Sequence, residues 1–286
     1  MARSWTLVLV VLACSLTPLA AGGETKKKKE KVEPPRRLGK NKRVVNNVKV
    51  ASFGLSPVKS DPVKLGAYQS KPSAASAART AASNGALQEK VDLRKYMTKV
   101  EDQSQSNSCA ANAVAGAYEY LAKRAAMTNG DEVGDISRLS IYYVGRKRDQ
   151  QRWGESVLNQ PKDEGMTLGS AIEAVQQKGA CLASTWPFNL DKVNAMPSEE
   201  CLDEAYNYKV GLAQEIPLDL DAMRQALADG FPIIFGLKLT QAFFSPKNGQ
   251  IETPDLSDPQ SASHGLHAML IVGYNDRKKV FIVRNS

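Results

Sequence analysis

The sequence has few of the residues that build metal centres and disulfide scaffolds. Its 286 residues include two histidines, His264 and His267, and four cysteines. No evident third ligand accompanies the two histidines, so we expect neither a metal nor another cofactor. Four cysteines in a chain of this length also exclude a small domain that depends on a dense disulfide framework.

Long apolar runs are missing as well. The run from Thr6 to Leu16 is too short to cross a bilayer, which takes about 18 apolar residues or more. It follows one early positive charge and precedes small residues, as in secretory signal peptides. We therefore predict a signal peptide at residues 1–22, no membrane span, and a secreted or lysosome-like location. A short anchor is one alternative, and a bacterial lipoprotein with a lipid on Cys14 is another.

The positive charge is concentrated in one segment. The chain carries a net charge of +8, but residues 24–90 hold 16 Lys and Arg against 5 Asp and Glu, whereas residues 91–286 hold 21 against 25. A slightly acidic remainder argues against a specific nucleic-acid-binding fold. The basic segment has few bulky apolar residues and no apolar period. We predict that residues 23–90 form a disordered pro-segment or linker, which can contact acidic surfaces.

Residues from about Val91 onward show helix and strand signals. Helical spacing of apolar residues predicts a helix over 108–126, and Thr167 and Asp219 are candidate caps for two more helices, which Gly179 and Gly230 would end. Continuous apolar runs predict later strands at 231–239, 268–274 and 280–284. Because helices come first and strands later, the sequence favours an α+β fold with two subregions.

Removal of a signal peptide would leave three cysteines, so at least one thiol would be free or paired with another chain. Cys181 and Cys201 are candidates for a disulfide within one loop-rich segment, which would leave Cys109 free. Three reduced, buried cysteines are the alternative.

Cys109 lies in the first turn of the predicted helix 108–126. Unpaired backbone N–H groups and the helix dipole favour an anion there, which predicts a lowered pKa for its thiol. A thiol nucleophile also needs a base. His264 and His267 are the candidates, and both precede the predicted strand 268–274.

Three segments together resemble the papain-like cysteine peptidases. Residues 103–109, Gln-Ser-Gln-Ser-Asn-Ser-Cys, are similar to the loop that carries the family's nucleophile. Residues 267–274, which begin His-Ala-Met-Leu, are similar to its histidine strand, and residues 281–286, Phe-Ile-Val-Arg-Asn-Ser, to the strand that ends in its catalytic asparagine. The three segments occur in the family's order, and the resemblance covers about residues 91–286.

The resemblance implies a papain-like two-lobe fold, with a central helix in a helical lobe, a β-barrel-like lobe, and the active-site cleft between them. It implies a secreted cysteine peptidase that acts on peptide or protein substrates through a thioester, and we expect a monomer. Cys109 would be the nucleophile and His267 the general base and acid. Asn285 would orient the imidazole, and Gln103 would help to form the oxyanion hole.

Three further residues are candidates for substrate binding. The turn at Gly165 can supply backbone for pairing with a peptide, although a plain surface turn explains it equally well, and Leu237 and Ala268 can line a side-chain pocket. Two other functions stay open: a catalytically inactive binding protein on the same scaffold, suggested by Ala110 where the family commonly has tryptophan, and a thioester-forming acyltransferase. The family's last strand continues beyond the position of Ser286, so we expect the sequence to be C-terminally truncated.

Overall fold

The computed structural model describes residues 86–129, 134–253 and 265–286, and the backbone of two short segments, 9–13 and 66–67. The helices are α1 (Cys109–Asn129), α2 (Arg138–Arg152), α3 (Leu168–Gln177), α4 (Glu199–Ala205), α5 (Leu220–Ala228) and α6 (Gln241–Phe244). The strands are β1 (Leu9–Ala13), β2 (Gly66–Ala67), β3 (Lys90–Asp92), β4 (Leu212–Ile216), β5 (Ile233–Lys238), β6 (Leu266–Asn275) and β7 (Val280–Arg284). Within these residues no helix has the length and apolar character to span a membrane.

The predicted helices and late strands are confirmed, with small shifts at their ends. Thr167 caps α3 by accepting a hydrogen bond from the Ser170 N–H (3.1 Å), and Asp219 caps α5 through the Ala222 N–H (2.9 Å). Gly179, predicted to end a helix, has a φ of +81°, a left-handed conformation that glycine adopts at little cost.

Helix α2 is an element that the sequence analysis did not find. Its inner face includes buried Ser140, Arg146 and Asp149 beside apolar residues, so no clean apolar stripe marks it. These polar groups have partners in the fold: Asp149 accepts hydrogen bonds from the side chains of Thr167 and Ser170 at the start of α3. Polar bonding between α2 and α3 therefore replaces part of the usual apolar contact.

Strand β6 pairs with three other strands of the sheet. It pairs antiparallel with β5 along its first half, with β3 along its last three residues, and with β7 on the other edge. Gly273 lets β3 approach, because a Cβ at that position would lie 2.2 Å from the carbonyl oxygen of Val91. Helix α1 packs against β6 on one side and α2 and α3 on the other, so the core lies between helices and sheet.

Two segments of the N-terminal region belong to the sheet. Strand β1, inside the predicted signal peptide, pairs antiparallel with both β4 and β5, and β2, inside the predicted disordered segment, pairs parallel with β4. Strand β2 lies in the segment expected to be disordered and β1 in the apolar run of the expected signal peptide, and both expectations stay predictions. An apolar Val/Leu run fits a β-strand between two others, where its backbone groups are paired. Cleavage of residues 1–22 stays a prediction, since it concerns the processed chain.

Candidate active site

The Cys109 thiol lies where the first turn of α1 meets β6. The backbone N–H groups of Ala268, Ala110 and Cys109 itself are near enough to its sulfur to favour the thiolate. The helix supplies two of these donors because its first N–H groups have no partner within the helix. The third comes from the residue directly after His267, so the fold brings the two chain segments together at this sulfur. Cys109 is a free cysteine, whereas Cys181 and Cys201 form a disulfide.

Burial has the largest influence on the thiol and raises the pKa of Cys109 above its ordinary value. The surrounding N–H groups lower this pKa, and the carboxylate of Asp163 adds to the rise. The prediction of a lowered pKa is therefore wrong in its net direction. The helix terminus does favour the thiolate as expected, but removal from water disfavours the charged form more.

His267, on β6, is hydrogen-bonded to Asn285, which directly follows β7. The Nε2 atom of His267 and the Oδ1 atom of Asn285 are 2.6 Å apart. A carboxamide oxygen can only accept, so this bond requires the proton on Nε2 and leaves Nδ1 as the unprotonated nitrogen of the neutral ring. Burial lowers the pKa of His267, and the bond to Asn285 acts in the opposite direction. The ring of Phe243, in α6, meets the imidazole edge-on, with centroids 5.9 Å apart.

The Gln103 side chain is held at both ends in a buried position. It is 4% exposed; its Nε2 donates to the carbonyl oxygen of Ser106 (2.8 Å), and its Oε1 accepts from the Ser286 hydroxyl (2.7 Å). A carboxamide nitrogen has two hydrogens, so one remains for another acceptor.

The three predicted substrate-binding residues have different surroundings. Leu237 lies opposite His267 in the pairing of β5 with β6, and 39% of it is exposed. The Ala268 side chain is buried, and it is the backbone N–H of this residue that faces the thiol. Gly165 has a φ of +84° and donates its N–H to the hydroxyl of Tyr142 (3.0 Å).

A loop at residues 161–165 contacts the nucleophile's loop, a feature that the sequence analysis missed. The side chain of Asp163 accepts from the backbone N–H of Asn107 (2.9 Å), and the Asn107 side chain donates to the carbonyl oxygen of Asp163 (2.7 Å). The only sequence signal was the turn composition around Gly165. A spacing of 56 residues between Asn107 and Asp163 gave no reason to pair them.

A buried ion pair on α1 is linked to the end of β7, and this link was also missed. Glu119, which is fully buried, forms an ion pair with Arg138 (3.0 Å) and accepts from the Thr98 hydroxyl (2.6 Å). Arg284, the neighbour of Asn285, donates to the carbonyl oxygens of Thr98 (2.7 Å) and Lys99 (2.6 Å). The position of Asn285 is therefore coupled to the helix that carries Cys109.

The site has the groups needed for nucleophilic chemistry on a carbonyl group: a free thiol, an imidazole with an oriented tautomer, and N–H donors beside the sulfur. His264, the other candidate base, lies outside the described residues. Within the described residues no group of three or more His, Cys, Asp and Glu side chains could hold a metal ion.

Comparison with known proteins gives matches over most of the chain. A family model described as "Papain family cysteine protease" matches residues 87–286. An uncharacterized peptidase C1-like protein of Acanthamoeba polyphaga mimivirus is 29% identical over 211 residues, which cover 68% of this chain and 63% of that protein. The chain therefore spans less than two thirds of this relative's length.

Solved structures show the same fold. Xylellain, a cysteine protease from Xylella fastidiosa, matches with a TM-score of 0.62 and 27% identity, over 85% of this chain and 87% of that one. A procathepsin B from Trypanosoma congolense matches with a TM-score of 0.55 and 12% identity, over 83% and 77% of the two chains. A digestive procathepsin L 3 of Tenebrio molitor larval midgut matches with a TM-score of 0.53 and 18% identity, over 83% and 67%. The α+β two-lobe architecture expected from the sequence is confirmed by these matches.

Proposed function

Because the chain belongs to the papain family of cysteine proteases, we propose that it hydrolyses peptide bonds with Cys109 as the nucleophile and His267 as the base. The observation that carries this proposal is the 2.6 Å bond between His267 and Asn285, beside a free thiol that the neighbouring Ala268 N–H approaches. That bond leaves Nδ1 of His267 free to take a proton.

The pKa directions suggest how the nucleophile is activated. Burial raises the pKa of Cys109 and lowers that of His267, so each group by itself favours its neutral form. Transfer of the proton from Sγ to Nδ1 creates two opposite charges that stabilise each other, and the three N–H groups near the sulfur favour the negative one. We therefore assign His267 as the base that takes the thiol proton when the nucleophile forms.

The reaction then follows from the roles of these groups. The sulfur bonds to the peptide carbonyl carbon, and the carbonyl oxygen becomes an oxyanion that the Cys109 N–H and the remaining Gln103 N–H can stabilise. His267 returns its proton to the departing amine, and a thioester remains on Cys109. Water, deprotonated by His267, attacks the thioester; the acid product leaves with the thiol restored. Gly165 and Leu237 are the proposed contacts for the peptide backbone and a side chain.

We also propose that the protein is secreted, on the basis of the signal-peptide pattern in residues 1–22. The basic segment that follows would then be a pro-segment or linker outside the catalytic region. Expression of the full chain in a secreting host, with N-terminal sequencing of the protein in the medium, tests this proposal. A new N-terminus near residue 23 supports it, and retention of the intact chain within cells contradicts it.

The nucleophile is tested with the full chain and the variant Cys109→Ala. The unmodified chain should hydrolyse fluorogenic peptides and incorporate one equivalent of a peptidyl epoxide, which peptide mapping should locate at Cys109. Cys109→Ala should keep its melting temperature and lose turnover by about a thousandfold or more, because no other group replaces the thiol.

Two other results would change the assignment. A peptide that binds to the chain without cleavage or epoxide incorporation would indicate a binding protein. An acyl product formed with an added amine, in preference to the free acid, would indicate a transferase that uses the same thioester.

A further inference from the structure

The contact between Asn107 and Asp163 joins the two loops that border the thiol. Asn107 is two residues before Cys109, and Asp163 is two residues before Gly165. The pair makes two hydrogen bonds, one from the Asn107 N–H to the Asp163 carboxylate (2.9 Å) and one from the Asn107 side chain to the Asp163 carbonyl (2.7 Å). Each bond joins a backbone group of one loop to the side chain of the other, so the pair sets the separation of the two backbones as well as that of the side chains.

The loop at 161–165 is in turn attached to α2. The Tyr142 hydroxyl donates to the same Asp163 oxygen (2.6 Å) and accepts the N–H of Gly165 (3.0 Å). The guanidinium of Arg146 lies 3.7 Å from the centre of the Tyr142 ring and donates to the carbonyl of Lys162 (2.6 Å). Both side chains are buried, so their positions are fixed by packing. Asp163 is thus the point at which a rigid helix, the Gly165 turn and the nucleophile's loop meet.

We propose that Asp163 and Asn107 form a clamp that fixes the Gly165 turn relative to the Cys109 loop and thereby sets where a bound peptide lies with respect to the sulfur. The inference rests on the proposed peptidase function, since it assumes that the peptide contacts Gly165. Asp163 is a positioning residue in this proposal: it acts through the two loops and does not itself take part in bond making.

A carboxylate at this position also affects the thiol. Its negative charge disfavours the thiolate and contributes to the raised pKa of Cys109. A residue whose only role was to make the thiol more reactive would not carry a negative charge. Its two accepted hydrogen bonds, which are stronger when the acceptor is charged, instead fit a role in geometry.

The clamp is tested with Asp163→Ala, Asp163→Asn and Asn107→Ala, and with Glu164→Ala as the control. Glu164 is an exposed carboxylate in the same loop, so its removal changes the local charge without breaking the clamp. For each variant we would measure kcat and KM for a peptide substrate, and the rates at which Cys109 reacts with iodoacetamide and with a peptidyl epoxide. Iodoacetamide is too small to need the Gly165 turn, whereas the peptidyl reagent must lie along it.

Asp163→Ala removes the two hydrogen bonds that the carboxylate accepts and should raise KM about tenfold, with a smaller change in kcat. Its reaction with iodoacetamide should be as fast as that of the unmodified chain or faster, because a negative charge near the sulfur is gone. Asp163→Asn keeps an acceptor oxygen, so its KM should be close to that of the unmodified chain. Asn107→Ala loses the side-chain bond to the Asp163 carbonyl but leaves both bonds to the carboxylate, so its KM should lie between those of the two Asp163 variants, and Glu164→Ala should match the unmodified chain.

An unchanged KM in both Asp163→Ala and Asn107→Ala would overturn the clamp, and so would an equal loss of reactivity toward both reagents, which would mean that the nucleophile itself had moved. If Asp163→Ala does not fold, Asn107→Ala and Asp163→Asn decide the matter. Absence of peptide turnover in the unmodified chain would contradict the proposed function instead. The ratio of the two labelling rates would still report whether the clamp places a peptide near Cys109.

Discussion

The two sides of the candidate active site are held in place by different kinds of bond. The nucleophile side, made of residues 103–109, α1 and the loop at 161–165, depends on side chains: Asn107 bonds to Asp163, Gln103 to Ser106 and Ser286, and Glu119 to Arg138. The histidine side, made of β5, β6 and β7, depends on backbone pairing, with β6 hydrogen-bonded to a strand on each edge.

Because of this difference, the two sides should be disrupted by different kinds of substitution. A backbone ladder tolerates many side-chain changes, because the N–H and C=O groups that form it are common to all residues except proline. A bond between two particular side chains is lost when either one is replaced, and its buried partner then remains unsatisfied. We therefore expect the nucleophile side to be sensitive to loss of polar groups, and the histidine side to be sensitive mainly to atoms that push its strands apart.

Glu119→Ala should have the largest effect on stability. It leaves the guanidinium of Arg138 buried without its partner, which should lower the free energy of unfolding by about 3–5 kcal/mol in a denaturant titration. Glu173→Ala is the control, because Glu173 pairs with Arg148 and Arg152 at a partly exposed site and should cost about 1 kcal/mol or less. Equal losses for the two variants would contradict the special sensitivity of the nucleophile side.

Gly273→Ala tests the histidine side and should have the next largest effect. The added Cβ would lie 2.2 Å from the Val91 carbonyl oxygen, so β3 and β6 must separate, at a cost of about 1–3 kcal/mol. Gly236→Ala adds the same methyl group to β5, where it meets Leu168 at an ordinary contact distance of 3.7 Å. Thermal unfolding should distinguish the two, and a comparable loss in Gly236→Ala would show that the strands are sensitive to any side chain.

Asp219→Ala addresses a polar contact that belongs to neither side of the site. Loss of the cap on α5 should cost about 1 kcal/mol, because the Ala222 N–H loses its acceptor. Asp221→Ala removes an exposed ion pair with Arg224 in the same turn and should change the unfolding free energy by less than about 0.5 kcal/mol. If Asp219→Ala proved as costly as Glu119→Ala, burial would not be what makes the nucleophile side sensitive.

Asn285→Ala should have little effect on stability, because Asn285 is exposed, but it should shift the pH dependence of catalysis. The bond from Asn285 raises the pKa of His267 while burial lowers it, so its removal leaves burial unopposed and the pKa falls further. Since the base acts in its unprotonated form, the acid limb of kcat/KM should move to lower pH. kcat should also fall, because the ring loses its orienting partner.

Asn285→Asp is the matched control for that shift. A carboxylate stabilises the protonated imidazole, so the acid limb should move to higher pH than in the unmodified chain. Acid limbs that coincide in all three proteins would show that the pKa of His267 does not govern this limb.

Much of the fold could be predicted from the sequence, because its signals are local. Each of these signals involves only residues that are close together in the chain. Thr167 and Asp219 cap the predicted helices, and the apolar run at 280–284 forms the predicted strand. Helix α2 was not predicted, because Arg146 and Asp149 on its buried face interrupt the apolar stripe. Strands β1 and β2 were not predicted, because composition indicates how much surface a segment can bury by itself. It does not indicate whether the edge of a neighbouring strand can pair with that segment.

The candidate site divides in the same way. The sequence by itself determined that a cysteine begins a helix, that a histidine begins an apolar strand and that an asparagine follows another, since each statement concerns a few adjacent residues. Only the tertiary structure decided that burial outweighs the helix terminus in the pKa of Cys109, that Asp163 meets Asn107, and that Thr98 connects Glu119 to Arg284. Desolvation and contacts between distant residues depend on how the elements pack, and no local pattern encodes that packing.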